Sequence, residues 1–166
     1  RFDSFPKRLA HTVQIAFLQQ KFFKEVKTGW MHVFIFWGFF IFLLRIAQFF
    51  AIGFLPSIHA DFGGFETLYE LFKDLFVVLV TLAASYALYR RLITRPERLT
   101  LSLEGIVILV LILAIMLSDA LFDVAWLARH PEAETGGNFI GPLLAPILAA
   151  LGSGATIHLH NLAYWT

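Results

Sequence analysis

An all-α integral membrane helical bundle is the fold class the sequence predicts, and three observations carry that prediction. Hydrophobic residues make up 58% of the 166-residue chain and charged residues only 15%, with 19 phenylalanines, outside the usual range of soluble domains. Three clear apolar stretches are each long enough to cross a hydrocarbon core about 30 Å thick, which takes roughly 20 helical residues. The links between them are short and hold breakers or charges, as in an antiparallel bundle.

Taken in order, residues 1–28 read as a cytoplasmic juxtamembrane segment and 29–166 as the transmembrane domain. In the lead-in, Leu9, Val13, Phe17 and Phe22 fall on a roughly helical stripe with basic residues elsewhere. That pattern suits an amphipathic helix lying on a membrane surface; a solvated lead-in is the plainer alternative. The first span, 29–55, opens "GWMHVFIFWGFFIFLLRI" and runs out at "GFLPS". A glycine-rich acidic link, "SIHADFGGFET", leads to the second span, 68–89. Before the third span, 105–128, comes "RRLITRPERLTLSLEG", with Pro96 in its middle.

The fourth apolar stretch, 139–166, carries Pro142, Pro146, Gly152 and Gly154 and allows two readings. One is a single kinked span. The other is a short proline-containing interfacial helix, a glycine break, and a new span starting near Ala155 and cut off at Thr166. Because the chain opens on Arg1 and stops inside an apolar run, it is expected to be a piece of a longer polypeptide.

Basic residues set the orientation. Arg1, Lys7, Arg8, Lys21, Lys24 and Lys27 precede the first span, and Arg90, Arg91, Arg95 and Arg98 follow the second. The link between those spans has neither Lys nor Arg, and the link after the third has only Arg129. By the positive-inside rule, residues 1–28 and the second-to-third link face the cytoplasm, as in a multi-pass protein of the inner membrane. A net charge of +1 offers no basic excess for nucleic acid. Without cysteine these residues cannot form disulfides, thiolate zinc sites or cysteine-held iron–sulfur clusters, which leaves histidine as the expected metal ligand.

Ionisable groups inside the spans are the candidate functional residues, since an unpaired charge there costs several kcal/mol and normally faces a partner or cavity. At the helical rise, Arg45 lies about 22 Å from the inner boundary, and Asp119 and Asp123, on one face of the third span, about 21 and 27 Å from it. Lys73 and Asp74 enter from the outer side to about 8 to 9 Å. Arg45, Lys73, Asp74, Asp119 and Asp123 are therefore expected in one outer layer, with Arg45 facing the two aspartates. Such a layer is either an ion-pair staple or a quinone or proton site, in which a carboxylate accepts the quinol proton.

His32 sits at a different level, about 3 Å inside the inner boundary. It reads either as an interfacial group or as an axial haem ligand: Phe36, Phe39 and Leu43 extend its face, Trp37 is near, and Gly38 allows close approach of a planar group. His158 and His160 point about 160° apart on a helix, so at most one serves a given site. His11, His59 and His130 read as surface groups.

"RFDSFPKRL", "GWMHVFIFWGFFIFLLRI", "YALYRRLITRPERL" and "HLHNLAYWT", in that order, resemble the amino-terminal membrane part of heterodisulfide reductase-related iron–sulfur oxidoreductases. That part is a cytochrome b-like domain similar to the gamma subunit of respiratory nitrate reductase, and the resemblance covers nearly the whole chain. It implies a module linking the quinone pool, menaquinone or ubiquinone, to a cytoplasmic iron–sulfur domain or subunit through haem b. Iron–sulfur clusters would be held only in a region outside this chain or in a partner.

His32 matches the family's histidine at the cytoplasmic end of its helix. The second histidine of the nitrate reductase pattern is missing, the region around Phe42 being apolar, so one haem is expected. If 139–166 is two pieces, His158 and His160 lie near the outer charged layer and belong to a quinone site. If it is one kinked helix, one of them reaches the level of His32 as its axial haem partner. A non-redox membrane anchor or transporter fragment, with a structural or substrate-conducting charged layer, is the competing class.

Overall fold

The computed structural model describes residues 4–17, 26–54, 64–95, 102–133, 135–150 and 152–165. The regular elements among them are all helices. His59, Lys21, Lys24, Pro96 and Arg98, which figure in the sequence reading, lie outside the described residues.

Among the described residues, three helices are long and apolar enough to cross a membrane: α2 (Val26–Phe54), α3 (Gly64–Tyr89) and α4 (Leu103–Arg129). Each begins slightly before its apolar stretch, so that polar residues stand in or near its first turn. Ser102 caps α4 by accepting the Gly105 N–H at 3.2 Å, and Glu104 and Glu66 place carboxylates in the first turns of α4 and α3. Past Tyr89 the backbone of α3 widens into a π-helical turn, Arg90–Thr94. That turn closes on Arg95 in the left-handed region (φ 42°), whose N–H reaches the Arg90 carbonyl at 2.9 Å.

The last apolar stretch forms two helices, α5 (Ile140–Ala150) and α6 (Ser153–Trp165), so the single kinked span does not form. Gly152, at φ 95°, makes the break, a conformation that glycine adopts without steric cost. Pro146 lies inside α5, where it withholds one N–H from the helix.

Helix α3 packs between α2 and α4, and α4 carries α5 and α6 as well. Near one end the Arg90 guanidinium donates to the Thr28 hydroxyl, which sets α2 and α3 antiparallel. Midway, a side chain on Gly38 would overlap Val80, so the two backbones approach closely there. The close approach expected to admit a planar group is thus occupied by α3. Buried Ala83, Ala84 and Ala87 keep α3 slim along the same run, as small residues do in membrane helix packing. Phe42, Val77, Val80, Met116, Val124 and Ala125 form the main core with residues of α5. Helix α6 runs antiparallel to α4: Ser118 donates to the Ala163 carbonyl at 3.0 Å, and Phe122 lies 4.9 Å from the His160 ring.

Ahead of these, α1 (Phe5–Thr12) continues into a π-helical turn, Val13–Phe17. Leu9 and Val13 are exposed, and the Phe17 ring rests 6.3 and 6.5 Å from Trp37 and Phe40 on the flank of α2.

Candidate functional site: a buried charged layer

Arg45 of α2, Lys73 and Asp74 of α3, and Asp119 and Asp123 of α4 converge into one layer. The helix ends explain the match. Arg45 and Lys73 both sit about 14 Å inside the Phe54 and Gly64 ends of their helices, and Asp119 about 15 Å inside Arg129. Because α3 starts at Gly64, Lys73 and Asp74 lie deeper than the sequence estimate, level with Arg45.

Asp123 is the hub. Its Oδ1 accepts from Arg45 Nη2 at 3.1 Å, and its Oδ2 accepts from Lys73 Nζ and from Asn138 Nδ2, the latter at 3.1 Å. Lys73, 1% exposed, also lies 3.5 Å from Asp74 Oδ1 and 3.7 Å from Asp119 Oδ2. Asp74, equally buried, holds the start of α5: its Oδ2 accepts the backbone N–H groups of Phe139 and Ile140, each at 2.8 Å. One turn earlier, Glu70 Oε2 accepts the Gly137 N–H at 3.1 Å. Asn138 completes the cap with its Oδ1 on the Gly141 N–H at 2.7 Å. Tyr69 donates to the Ile41 carbonyl at 3.1 Å and ties α3 to α2 beside the layer.

Asn138 and Tyr69 are residues here that the sequence reading did not assign to a site. Asn138 had a usable signal: a cap residue just before the apolar run "FIGPLL".

Not every buried polar atom in the region is satisfied. Asp119 Oδ2, Gln48 Oε1 and His160 Nδ1, on three different helices, are buried without a hydrogen-bond partner. His160, beside Phe122, lies at the level of Asp119 and Asp123. His158 is exposed on the same helix. His32 is thirteen residues from Arg45, about 20 Å along α2 towards the basic end. His32 and His160 are therefore not brought together, and the axial pairing allowed by a single kinked helix does not arise. His32 shares a stripe with Phe39 and Leu43, both exposed. His130 caps α4, its ring stacked on Trp126 at 4.8 Å. Among the described residues no group of three or more His, Cys, Asp or Glu is arranged to hold a metal ion.

Fold and layer together define a helical module of membrane-spanning type with an internal ionic centre. Over 99% of its length the chain is similar to the Probable iron-sulfur-binding oxidoreductase FadF of Bacillus subtilis (strain 168), at 25% identity over 166 residues. It is likewise similar to the EtfAB:quinone oxidoreductase of Syntrophomonas wolfei subsp. wolfei, at 24% identity over 176 residues. In both cases it spans about a quarter of the relative's length, 24%. No family model matches, and no solved structure matches. The similarity is to oxidoreductases, one named for iron–sulfur binding and one for a quinone.

Proposed function

We propose that this chain is the quinone-reactive membrane part of an iron–sulfur oxidoreductase. It would pass electrons between menaquinone or ubiquinone and iron–sulfur centres held in a cytoplasmic domain or subunit, with residues 1–28 and the arginines after α3 on the cytoplasmic side of the inner membrane. The carrying observation is the buried layer itself, in which Asp119 Oδ2 has no hydrogen-bond donor, with unpartnered Gln48 Oε1 and His160 Nδ1 buried on α2 and α6. Buried polar atoms without partners call for a ligand or water, and an apolar ring bearing oxygens suits a site of that composition. Similarity to a protein named as a quinone oxidoreductase supports the same reading.

Arg45 orients the ring and balances charge. Asp119 or Asp123 receives the proton of a quinol hydroxyl. Lys73 and Asp74 hold the aspartates and α5 in place. In the full-length polypeptide, Arg45→Gln is expected to lower quinol turnover at least tenfold, roughly the worth of one charge-assisted hydrogen bond. Unchanged turnover would remove the quinone assignment.

Haem b fits this chain in part. His32, half-buried on α2, is the residue of this chain that would hold the haem, with any further ligand supplied from outside the described residues. When bound, the haem supplies one-electron transfer. A reduced-minus-oxidised visible spectrum of the full-length protein should show a b-type band that His32→Ala abolishes. No band in the wild type would eliminate the haem.

A second reading has its own observation: each charged side chain of the layer lies within 4.0 Å of an opposite charge. The layer is then a staple in a non-redox anchor or transporter fragment, and Arg45→Gln lowers thermal stability while quinones fail to bind the wild-type protein.

A further inference from the structure

We infer that Asp119 is the ligand-contacting carboxylate of the layer and that it makes the site selective for the reduced, hydroxyl-bearing form of the ring. The inference rests on the quinone reading and assigns the roles which that reading leaves between Asp119 and Asp123.

The three aspartates differ in how much of their accepting capacity is already used. Asp74 spends Oδ2 on two backbone N–H groups at 2.8 Å and lies 3.5 Å from Lys73 through Oδ1. Asp123 takes Arg45 on one oxygen and both Lys73 and Asn138 on the other. Both are engaged by hydrogen-bond donors of the protein. Asp119 has ion-pair contacts alone, 3.6 Å from Arg45 Nε to Oδ1 and 3.7 Å from Lys73 Nζ to Oδ2, too long for hydrogen bonds. Its Oδ2 is buried with no donor. The charged and titratable groups around Asp119 are Arg45 from α2, Tyr69, Lys73 and Asp74 from α3, and Asp123 on α4 itself; on α6, His160 lies beside Phe122, and α5 brings no ionisable side chain.

A carboxylate accepts hydrogen bonds and donates none. The unspent Oδ2 therefore rewards a ligand that brings an O–H. A quinol has one at each end of its ring, whereas a quinone presents only acceptor oxygens and sets lone pair against lone pair. Asp123 is the poorer candidate for this contact, because its oxygens already face three donors.

The test is equilibrium binding of a short-chain quinol and the matching quinone to the full-length protein in nanodiscs. Wild type should prefer the quinol by at least about tenfold, the worth of a hydrogen bond to a charged group. Asp119→Asn, which puts an amide donor at the site, should erase or invert that ratio. An unchanged ratio in Asp119→Asn overturns the assignment. Should Asp119→Asn not fold, the dimethyl ether of the quinol decides in the wild type: without O–H groups it must bind no better than the quinone, and binding as tight as the quinol refutes the proposal. Failure of either ring form to bind the wild type would instead count against the quinone reading itself.

Discussion

Lys73 shows how much a single side chain can carry in this bundle. It is 1% exposed and faces Asp74, Asp119 and Asp123 at once, so its ammonium offsets carboxylates contributed by two helices. Removing one partner of a buried ionic group leaves the others uncompensated, at a cost of about 3–5 kcal/mol. Lys73→Met should therefore lower the thermal unfolding midpoint in detergent far more than Lys27→Met, an exposed lysine at the start of α2. Asp74 acts more locally. With Asn in its place the charge-assisted bonds to Phe139 and Ile140 weaken, and amide exchange at those two positions should accelerate while the α2–α3 contact stays protected. The meeting of Arg45 with the two aspartates was legible in the sequence, because helical rise alone fixes their levels. The partners of Asp74 were not: they are backbone N–H groups at a helix start, and such groups carry no side-chain label.

Helices pack here through missing atoms as much as through present ones. Gly38 read from sequence as room for a planar cofactor, yet the room is filled by Val80 of α3. Period and composition show that a helix has a small residue on one face, but not which neighbour will use it. Gly38→Val should wedge α2 from α3, destabilise the bundle by about 1–3 kcal/mol through overpacking, and shift Arg45 away from Asp123. Gly53→Ala, with nothing within 4 Å, is the matched control in the same helix. The break between α5 and α6 also hangs on one residue. Gly152 at φ 95° cannot take a β-carbon without strain, so Gly152→Ala should cost about 1–3 kcal/mol. The loss should appear first in α6, seen as faster exchange around Ala163, because α6 keeps its place on α4 only if the chain reverses at that glycine.

For the whole molecule, the consequential feature is the separation of its two candidate sites along one helix. His32 stands near the basic end with Thr28 and Arg90, and the charged layer lies about 20 Å away. On the proposed reading, with that axis along the membrane normal, an electron passing between a ring at the layer and a haem held by His32 would cross about two-thirds of a 30 Å core. Moving one charge across the full membrane is worth about 2.3 kcal/mol per 100 mV, so this transfer feels about 1.5 kcal/mol, close to a tenfold change in equilibrium. In sealed vesicles at a fixed quinol-to-quinone ratio, imposing about 100 mV, negative on the basic side, should lower the ratio of reduced to oxidised haem about tenfold. Reversing the sign should raise it by the same factor. A haem whose redox level ignores the potential would have to lie level with the charged layer, and the two-ended arrangement of this bundle would then have no electrical consequence.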